Sequence, residues 1–456
     1  MVEHSTDFMT QLCGAVLDPA LASEPETRRL IARSIADTLA VAAAGFPEEA
    51  TCNTLRAYGG NGPRAWSGEA CESLEAAILV NGVAAHALDF DDVYIESMAH
   101  ISTVLLPAVL RDETTDPDRI IAAFAAGLVA ARAVARKVGR GHYNRGWHGT
   151  GTIGAFAAAA AAGRLEELDE DQMANAFALA ASLSGGLQVN FSTQAKPAHA
   201  GFAAVAGARA ARLAKAGMTG SRAVFGPRGY PALYGVGDGE EAPDADAFAL
   251  RPDLISLKLY PCCYASHRLI GLALDARASL GPQVLDPGVR FRFSVPAGSV
   301  DILTYDRPEN GLQAKFSRTY PVAVGLLKGT PTLGDFTDGA VHRPEVVRLI
   351  DRIEVTEDQA QPSGGDIEFG SAELRVALPS GETVRFTRSA IPGSPDDPPS
   401  PASLQAKIAG CLAVYEEWSG KSFPALEHVA RLGLEDWFDG SRQETAQQAQ
   451  ATGDHR

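Results

Sequence analysis

NGVAAHALDFDDVYIESMAHISTVLLP, residues Asn81–Pro107, is the stretch that decides the fold. Small apolar residues fill both of its ends, a pattern that predicts buried, closely packed helices. Between those ends lie two histidines and four acids: His86, Asp89, Asp91, Asp92, Glu96 and His100. Burying a charge is costly unless the group is paired or its pKa shifts. The cluster therefore indicates either a functional site or a solvated helix end with capping acids, and the stretch alone leaves both open.

The composition favours helical domains. The chain has 456 residues, of which 46% are hydrophobic and only 7% aromatic, and it is rich in alanine and glycine. At about 150 residues per domain this length predicts two or three domains. Many small residues with few aromatics favour helices over a β-sandwich. A net charge of −16 argues against nucleic acid or an anionic membrane as a partner, since both need a basic face.

The cysteines and the N-terminus predict a soluble, cytoplasmic protein. Six cysteines are scattered without a C-x-x-C pair, which is typical of reduced thiols and not of a disulfide framework or a zinc site. Residues Met1–Pro19 carry acids where a signal peptide needs basic residues. The longest uncharged apolar run, near Ile120–Ala131, is too short to span a bilayer.

The pattern along the chain changes at about residue 260. Helical periodicity dominates before it, with a breaker-rich loop predicted at Tyr58–Ser67. Residues 261–390 read as a smaller α+β unit, and a proline-rich linker follows at 391–401. Helices return after the linker, the second of them at Pro424–Leu432, and the polar tail 441–456 is predicted to be disordered. Within the α+β unit we predict strands at Val289–Val295 and Ser299–Tyr305, a helix at Ala314–Leu327 and a hairpin at Ala372–Thr387.

Four breaker-rich loops carry most of the polar groups that could take part in catalysis or binding: Asp89–His100, Gly139–His148, Ser184–His199 and Lys258–His267. Loops held by a rigid helical scaffold are where sites are usually built. No metal-binding spacing, phosphate-binding lysine loop, strand-borne G-x-G-x-x-G or G-x-S-x-G motif is present. The remaining chemistry is cofactor-free acid–base catalysis. In it, Lys196, Lys258 and Arg268 would bind carboxylates while a base removes an α-proton.

Several of these segments together resemble the MmgE/PrpD family, which includes 2-methylcitrate dehydratase, cis-aconitate decarboxylase and iminodisuccinate epimerase. They are NGVAAHALDFDD, the following His100, the KPAH segment and KLYPCCYASH. The resemblance runs from about Arg28 to Leu432. GRGHYNRGWH, PCCYASH and GLQAKFSRTYPVAVGLLKG are most similar to the epimerase-type bacterial branch.

The resemblance implies a mostly α fold. A large all-helical domain would be built from both chain ends, residues 1–260 and 402–440, and an α+β lid domain would span 261–390. It also implies a homodimer formed through the helical domain. The substrate would be a small polycarboxylate, and no metal or organic cofactor would be needed.

The family motifs also assign roles to single residues. We expect the catalytic residues to be His100, Lys196, Lys258, Tyr143 and Asp89. We expect the substrate to be bound by His199, Tyr320, His267, Arg268 and His148. Asp89 would orient His100, whereas Asp91 and Asp92 would be caps or salt-bridge partners, and His86 would be a packing histidine hydrogen-bonded to a neighbour.

Three positions depart from the family pattern. Val93 stands where the decarboxylase branch has a threonine, and Cys263 stands where that branch has a histidine. Both departures disfavour decarboxylation of cis-aconitate. Ile101 replaces the proline that follows the motif histidine, so the turn after His100 is less fixed.

The sequence therefore predicts a lyase or isomerase that abstracts a proton α to a carboxylate, of epimerase or dehydratase type, with a 2-methylcitrate- or iminodisuccinate-like substrate. His100 or Tyr143 would be the base. One alternative is a cis-aconitate-type decarboxylase. A second is a Mg²⁺-dependent helical prenyl-diphosphate enzyme, because DDVYIE resembles its acidic motif. A third is a catalytically inactive homologue that binds a small molecule.

Overall fold

The computed structural model describes residues 2–111, 116–235, 245–426 and 432–434, apart from the side chains of residues 2–7. The chain forms two compact units, Met1–Leu257 with Ser400–Arg456, and Lys258–Pro399. It is mostly helical, which confirms the prediction of a mostly α chain. The tail 441–456 and most of the helix predicted at Pro424–Leu432 lie outside the described residues.

The first part of the larger unit is a series of helices with two short β-pairs. The helices are α1 (Val2–Leu17), α2 (Pro25–Gly45), α3 (Glu49–Tyr58), α4 (Leu74–His86), α5 (Ser102–Val109), α6 (Pro117–Val138), α7 (Gly141–Asn144), α8 (Gly149–Leu165), α9 (Glu170–Leu183), α10 (Ala195–Lys215) and α11 (Tyr230–Tyr234). The strands are β1 (Gly59–Arg64), β2 (Ala70–Cys71), β3 (Val93–Tyr94) and β4 (Ile255–Ser256). Antiparallel pairs form between β1 and β2 and between β3 and β4.

The loop predicted at Tyr58–Ser67 was wrong, because β1 occupies most of it. All six residues of β1 are exposed, so no apolar alternation marks the strand in the sequence. Its glycines allow the pairing, since a Cβ at Gly60 would lie 2.6 Å from Glu72 Cα. The glycines in this stretch therefore indicate close contact between strands as well as a turn.

Small residues set the spacing of the central helices. In α8, the six consecutive residues Ala157–Ala162 are completely buried. A Cβ at Gly207 of α10 would lie 2.3 Å from Ala158 Cβ, and a Cβ at Gly82 of α4 would lie 2.6 Å from Gly201 Cα. Backbones can approach this closely only without side chains between them. The alanine and glycine content therefore sets how closely α4, α8 and α10 pack against one another.

The smaller unit is built on a four-stranded sheet of β5 (Arg290–Ala297), β6 (Ile353–Pro362), β7 (Ala372–Ala377) and β8 (Thr383–Arg388), in the order β6-β5-β7-β8. Strand β5 runs parallel to β6 and antiparallel to β7. The predicted hairpin is confirmed, with Leu374 opposite Phe386. The helices of this unit are α12 (His267–Leu280), α13 (Gly311–Ala314), α14 (Tyr320–Lys328), α15 (Asp338–Val341) and α16 (Pro344–Ile350).

Two element predictions in the smaller unit were wrong. Ser299–Tyr305 forms turns and no strand, and the Leu303 amide donates to the Val300 carbonyl at 2.9 Å. The apolar residues there are buried by a turn, which alternation alone does not distinguish from a strand. The predicted helix Ala314–Leu327 is interrupted between α13 and α14. At the break, Ser317 Oγ accepts from the Tyr320 amide at 3.0 Å, a local hydrogen bond that competes with the helix.

Helix α17 (Pro401–Ser419) returns to the larger unit and packs on α2. Lys407 Nζ lies 2.6 Å from Asp37 Oδ1 of α2, and both side chains are buried. The same ammonium donates to the Phe90 carbonyl at 2.8 Å. The turn after α4 is therefore supported by a residue more than 300 positions later in the chain.

No single helix in the described part of the chain is long and apolar enough to cross a membrane. The helices α2 and α3 reach the required length and composition only when taken together, and they are bent by 82° at the break between them. Most of α2 is buried in the larger unit, as expected for a core helix.

Candidate active site

The ends of four helices place a cluster of histidines, carboxylates and one lysine inside the larger unit. Helix α4 ends at His86, and the turn after it carries the acids. His100 precedes α5, His148 precedes α8, and the first turns of α10 carry Lys196 and His199. The members of this cluster are His86, Asp89, Asp91, His100, His148, Lys196 and His199.

A buried ion pair joins Lys196 and Asp89. Lys196 Nζ lies 2.7 Å from Asp89 Oδ1, and each side chain is only 5% exposed. The ammonium also lies 5.2 Å from the centre of the Phe191 ring. Asp89 has a left-handed backbone, with φ at +52°. Such a conformation is unfavourable for a residue other than glycine and is often found at functional sites.

Asp91 makes the shorter contact with His100, and Asp89, to which the orienting role was assigned, lies farther from the ring. His100 Nδ1 lies 3.0 Å from Asp91 Oδ2 and 2.9 Å from the Asp92 carbonyl oxygen. Both neighbours are acceptors, so Nδ1 carries the proton. His100 Nε2 is therefore the basic nitrogen, and it lies 3.8 Å from Asp89 Oδ1.

His86 shares the same acceptor. Its Nδ1 donates to Asp91 Oδ2 at 2.9 Å, as expected for a histidine hydrogen-bonded to a neighbour. Burial lowers the pKa of His86 to about 3, so the ring is neutral at neutral pH. Burial also acts to raise the pKa of Asp91, but the two imidazoles beside it hold that pKa well below its usual range. Asp91 is thus a fixed anion between two rings.

Asp92 caps the next helix, as expected. Ser102 Oγ donates to Asp92 Oδ2, and the Ser102 amide donates to Oδ1 at 3.4 Å. Burial, aided by the carboxylates of Asp37 and Asp91, raises the pKa of Asp92 to about 7 against the opposing effect of Ser102. Asp92 therefore positions the start of α5 and, through its carbonyl, His100.

His148 and His199 form a second pair. Their Nδ1 atoms lie 2.9 Å apart, so one ring donates its proton to the other. Burial, together with the charge of Lys196, lowers the pKa of His148 well below its usual value and that of His199 to about 4. Both rings are neutral at neutral pH, which leaves Lys196 as the cation beside them.

The cluster also has donor spacings that suit a cation. One nitrogen from each of His86, His100 and His148 lies within 4.8 Å of the other two. A second grouping with the same limit contains His86, Asp89, Asp91 and His100. The larger unit therefore contains potential metal ligands that no spacing in the sequence indicated.

Tyr143 lies on α7 and lines a cavity of about 260 Å³. Glu96, Met98, Arg136 and His142 line it as well. None of Asp89, His100 and Lys196 is among the described residues around this cavity. Tyr143 therefore lies in the wall of this cavity, and its expected role in proton transfer stays a prediction.

The remaining expected residues belong to the smaller unit. Lys258 and His267 are fully buried there, and the His267 ring lies 4.8 Å from that of Tyr260. Arg268 donates to the carbonyls of Glu368 and Phe369 at 2.8 and 3.1 Å. Tyr320 is also fully buried, and its hydroxyl donates to the Asp335 carbonyl. In this unit Arg268 and Tyr320 therefore hold backbone segments.

Three residues contribute more to the site than the sequence predicted. Asp91 orients His100, and His86 shares that carboxylate. Their spacing around the D-F-D-D motif was visible, but the direction of each side chain was not. Lys407 supports the same turn from α17, and no local pattern connects it to that turn.

The comparisons with known proteins agree with these motifs. Residues 10–238 match the MmgE/PrpD N-terminal domain, and residues 260–427 match the MmgE/PrpD C-terminal domain. The chain belongs to the MmgE/PrpD family. The family suggested by the sequence motifs is thereby confirmed, and with it the prediction of an MmgE/PrpD-type enzyme.

Several MmgE/PrpD relatives are cis-aconitate decarboxylases. The mouse enzyme is 26% identical over 346 residues, which cover 73% of this chain and 70% of the relative. The human enzyme is 26% identical over 355 residues, covering 75% and 73%. An enzyme from Aspergillus terreus is 24% identical over 338 residues, covering 68% and 69%. These relatives support the decarboxylase alternative better than the epimerase or dehydratase prediction.

Proposed function

We propose that this chain is a cofactor-independent lyase that decarboxylates a small unsaturated tricarboxylate of the cis-aconitate type. The observation that carries the proposal is the position of His100 Nε2, 3.8 Å from the Asp89 oxygen that binds Lys196. A nitrogen able to move a proton thus lies beside a buried cation. The similarity to cis-aconitate decarboxylases supports the same reaction class.

In the proposed reaction, the bond between the leaving carboxylate and its methylene carbon breaks. Its electron pair forms a new carbon–carbon double bond, and the electrons of the original double bond move to the carbon beside another carboxylate. That carbon takes up one proton as CO₂ departs, so one CO₂ leaves and one proton enters. The step develops charge on an enediolate, which a preorganised cation stabilises.

The residues of the cluster fit this step. The Lys196 ammonium, which Asp89 holds at 2.7 Å, would attract a substrate carboxylate as a buried cation. His100 would first take a proton from solvent at Nε2 and then deliver it to the substrate carbon, while Asp91 and the Asp92 carbonyl hold its Nδ1. His148 and His199 are neutral, so they line the site without competing for the substrate's charge.

Proton abstraction α to a carboxylate is the second candidate, as in an epimerase or a dehydratase. The protonated Nδ1 of His100 favours it, because that tautomer leaves Nε2 unprotonated and therefore basic. Val93 and Cys263 also depart from the decarboxylase pattern. The Mg²⁺-dependent prenyl-diphosphate alternative has no support from the family assignment. The roles of Lys258, Tyr143, His267, Arg268 and Tyr320, a homodimer and a cytoplasmic location remain predictions.

One NMR experiment in D₂O separates the candidates. The full-length protein is incubated in a chelating buffer with cis-aconitate and, separately, with 2-methylcitrate and iminodisuccinate. Decarboxylation predicts release of CO₂ and one deuterium per product molecule. Proton abstraction predicts exchange at the α-carbon without CO₂. Binding without either change would identify an inactive binding homologue and would overturn both candidates.

A further inference from the structure

Three imidazoles from three separate chain segments meet inside the larger unit. The ring centres of His86 and His100 lie 4.5 Å apart, and those of His86 and His148 lie 5.8 Å apart. His100 and His148 are 6.1 Å apart. His86 and His148 are each 1% exposed. The proposed decarboxylation transfers a proton through only one of these rings.

Each of the three rings already has a hydrogen bond at Nδ1. Nδ1 of His86 and Nδ1 of His100 both lie within hydrogen-bond distance of Asp91 Oδ2, and Nδ1 of His148 is hydrogen-bonded to Nδ1 of His199. The Nε2 atoms of His86 and His148 are buried and have no hydrogen-bond partner among the described residues. Buried polar atoms without partners are rare in folded proteins, so two of them in one cluster need an explanation.

We propose that Nε2 of His86, His100 and His148 form a binding site for a divalent ion of the Zn²⁺ class. Neutral imidazole is a preferred ligand for such ions. A metal-binding histidine usually donates its other N–H to a carboxylate, and Asp91 accepts from two of these three rings. The bonds that hold the Nδ1 atoms are therefore the same bonds that a three-histidine metal site requires.

The distances and charges are compatible with this site. One ring nitrogen of each histidine lies within 4.8 Å of a ring nitrogen of the other two. Zn–N bonds of about 2.1 Å in tetrahedral geometry place nitrogens about 3.4 Å apart, which is about 1.4 Å less than that limit. The carboxylates of Asp91 and Asp89 offset the charge of the ion. Lys196 opposes it, but Asp89 pairs with that lysine at 2.7 Å.

Occupation of this site would inhibit the enzyme. His100 Nε2 is the atom to which we assign proton transfer, and a bound ion would take its lone pair. This consequence rests on the proposed function, whereas ion binding does not. The site therefore predicts reversible inhibition by Zn²⁺ that a chelator relieves.

Binding is measured on the full-length protein after removal of metal with a chelator, without substrate. We expect one equivalent of Zn²⁺ per chain by calorimetry, and visible absorption typical of tetrahedral Co²⁺ when cobalt is added. His86→Gln and His148→Gln should each abolish the cobalt spectrum. Asp91→Asn should weaken Zn²⁺ binding about 10- to 100-fold, as loss of such a supporting carboxylate usually does. His342→Gln is the control, since that histidine is exposed and lies in the smaller unit.

The proposal is overturned if the wild-type chain binds no Zn²⁺, or if both variants of the cluster bind it as the wild type does. Equal loss in His342→Gln would also overturn it, because surface histidines would then be responsible. Circular dichroism shows which variants fold, and two independent ligand variants are available if one does not. Since no substrate is present, failure of binding leaves the proposed reaction standing. Zn²⁺ binding without any turnover of a polycarboxylate would contradict the proposed reaction and support the proposed metal site.

Discussion

Lys196 Nζ lies 2.7 Å from Asp89 Oδ1, although 107 residues separate them in the chain. Both side chains are buried, and Asp89 has a left-handed backbone conformation. Two buried charges tolerate each other only as a pair, because either one alone bears the full desolvation penalty. The pair therefore fixes the turn after α4 against the start of α10 and keeps a cation beside His100.

Lys196→Met is expected to reduce turnover about 100- to 1000-fold, the usual effect of removing a group that stabilises developing negative charge. It should also lower the free energy of unfolding by about 3–5 kcal/mol, because Asp89 is left buried without its partner. Steady-state kinetics and urea denaturation measure the two effects. Lys215→Met is the matched control. Its ammonium lies at the surface, 3.5 Å from the Glu166 carboxylate and 2.6 Å from the Glu166 carbonyl, and its loss should cost at most about 1 kcal/mol with full activity.

His100→Gln is expected to lower the rate of proton transfer about 100- to 10,000-fold, the range for loss of a general acid or base. The side-chain amide can still donate to Asp91, so the thermal unfolding midpoint should change little. Deuterium incorporation from D₂O measures the transfer directly. A His100→Gln chain with wild-type incorporation would show that another group, such as Tyr143, moves the proton.

Lys407→Met is expected to destabilise the protein by about 3–5 kcal/mol, since Asp37 would remain buried without a counter-charge. Burial already raises the pKa of Asp37, with Lys407 opposing that rise. The double variant Asp37→Leu/Lys407→Met should recover much of the loss, because replacement of both charges removes the desolvation penalty. A double-mutant cycle from denaturation curves measures the coupling. Additive losses would show that the two side chains do not interact.

Asp335 makes the stability of the smaller unit sensitive to acid. Burial acts to raise its pKa, but hydrogen bonds from Lys328, Thr332 and Arg343 together hold the pKa below its usual value of 3.8. A lowered folded-state pKa stabilises the protein above the unfolded value, and this contribution is lost as the pH falls through the folded value. Asp335→Asn should therefore destabilise at pH 7 by about 1.5–3 kcal/mol, the range for hydrogen bonds to a charged group.

As the pH falls below 3.8, the difference between wild type and Asp335→Asn should shrink, because the wild-type carboxyl then becomes protonated too. Thermal unfolding from pH 2 to 7 measures it. The same change at Asp301, which is exposed, should leave the pH profile as it is. A constant difference across the whole range would contradict ionisation of Asp335 as the cause.

Gly82→Ala is expected to destabilise the larger unit by about 1–3 kcal/mol, as overpacking does. The new Cβ would lie 2.6 Å from Gly201 Cα, which is backbone and cannot rotate away. Gly410→Ala is the control in α17, where a Cβ would meet nothing within 4 Å. It should stabilise by about 0.5–1 kcal/mol through helix propensity alone. Denaturation midpoints of the two variants should therefore move in opposite directions.

The sequence could predict the features that depend on local pattern. Helical periodicity located most helices, and strand alternation located the β7–β8 hairpin. It failed where a contact from elsewhere decided the outcome. Strand β1 forms because its glycines fit against β2, and Ser299–Tyr305 turns back on itself although its alternation is typical of a strand.

The candidate site was predictable as a set of residues but not as an arrangement. Motifs indicated Asp89, His100 and Lys196, and the structure brings these three together. The direction of each imidazole decides which carboxylate orients His100, and a sequence does not contain that direction. For the same reason, the approach of His148 to His86 could not be inferred from their spacing of 62 positions.

Helix α17 determines when, during synthesis, the candidate active site becomes complete. Its Lys407 supports the turn that carries Asp89 by donating to the Phe90 carbonyl, and it neutralises Asp37 beneath that turn. The ribosome must therefore make the whole smaller unit, Lys258–Pro399, before this support exists. A nascent chain that already contains Asp89, His100 and Lys196 still lacks this support, so catalysis begins only after translation has passed Lys407.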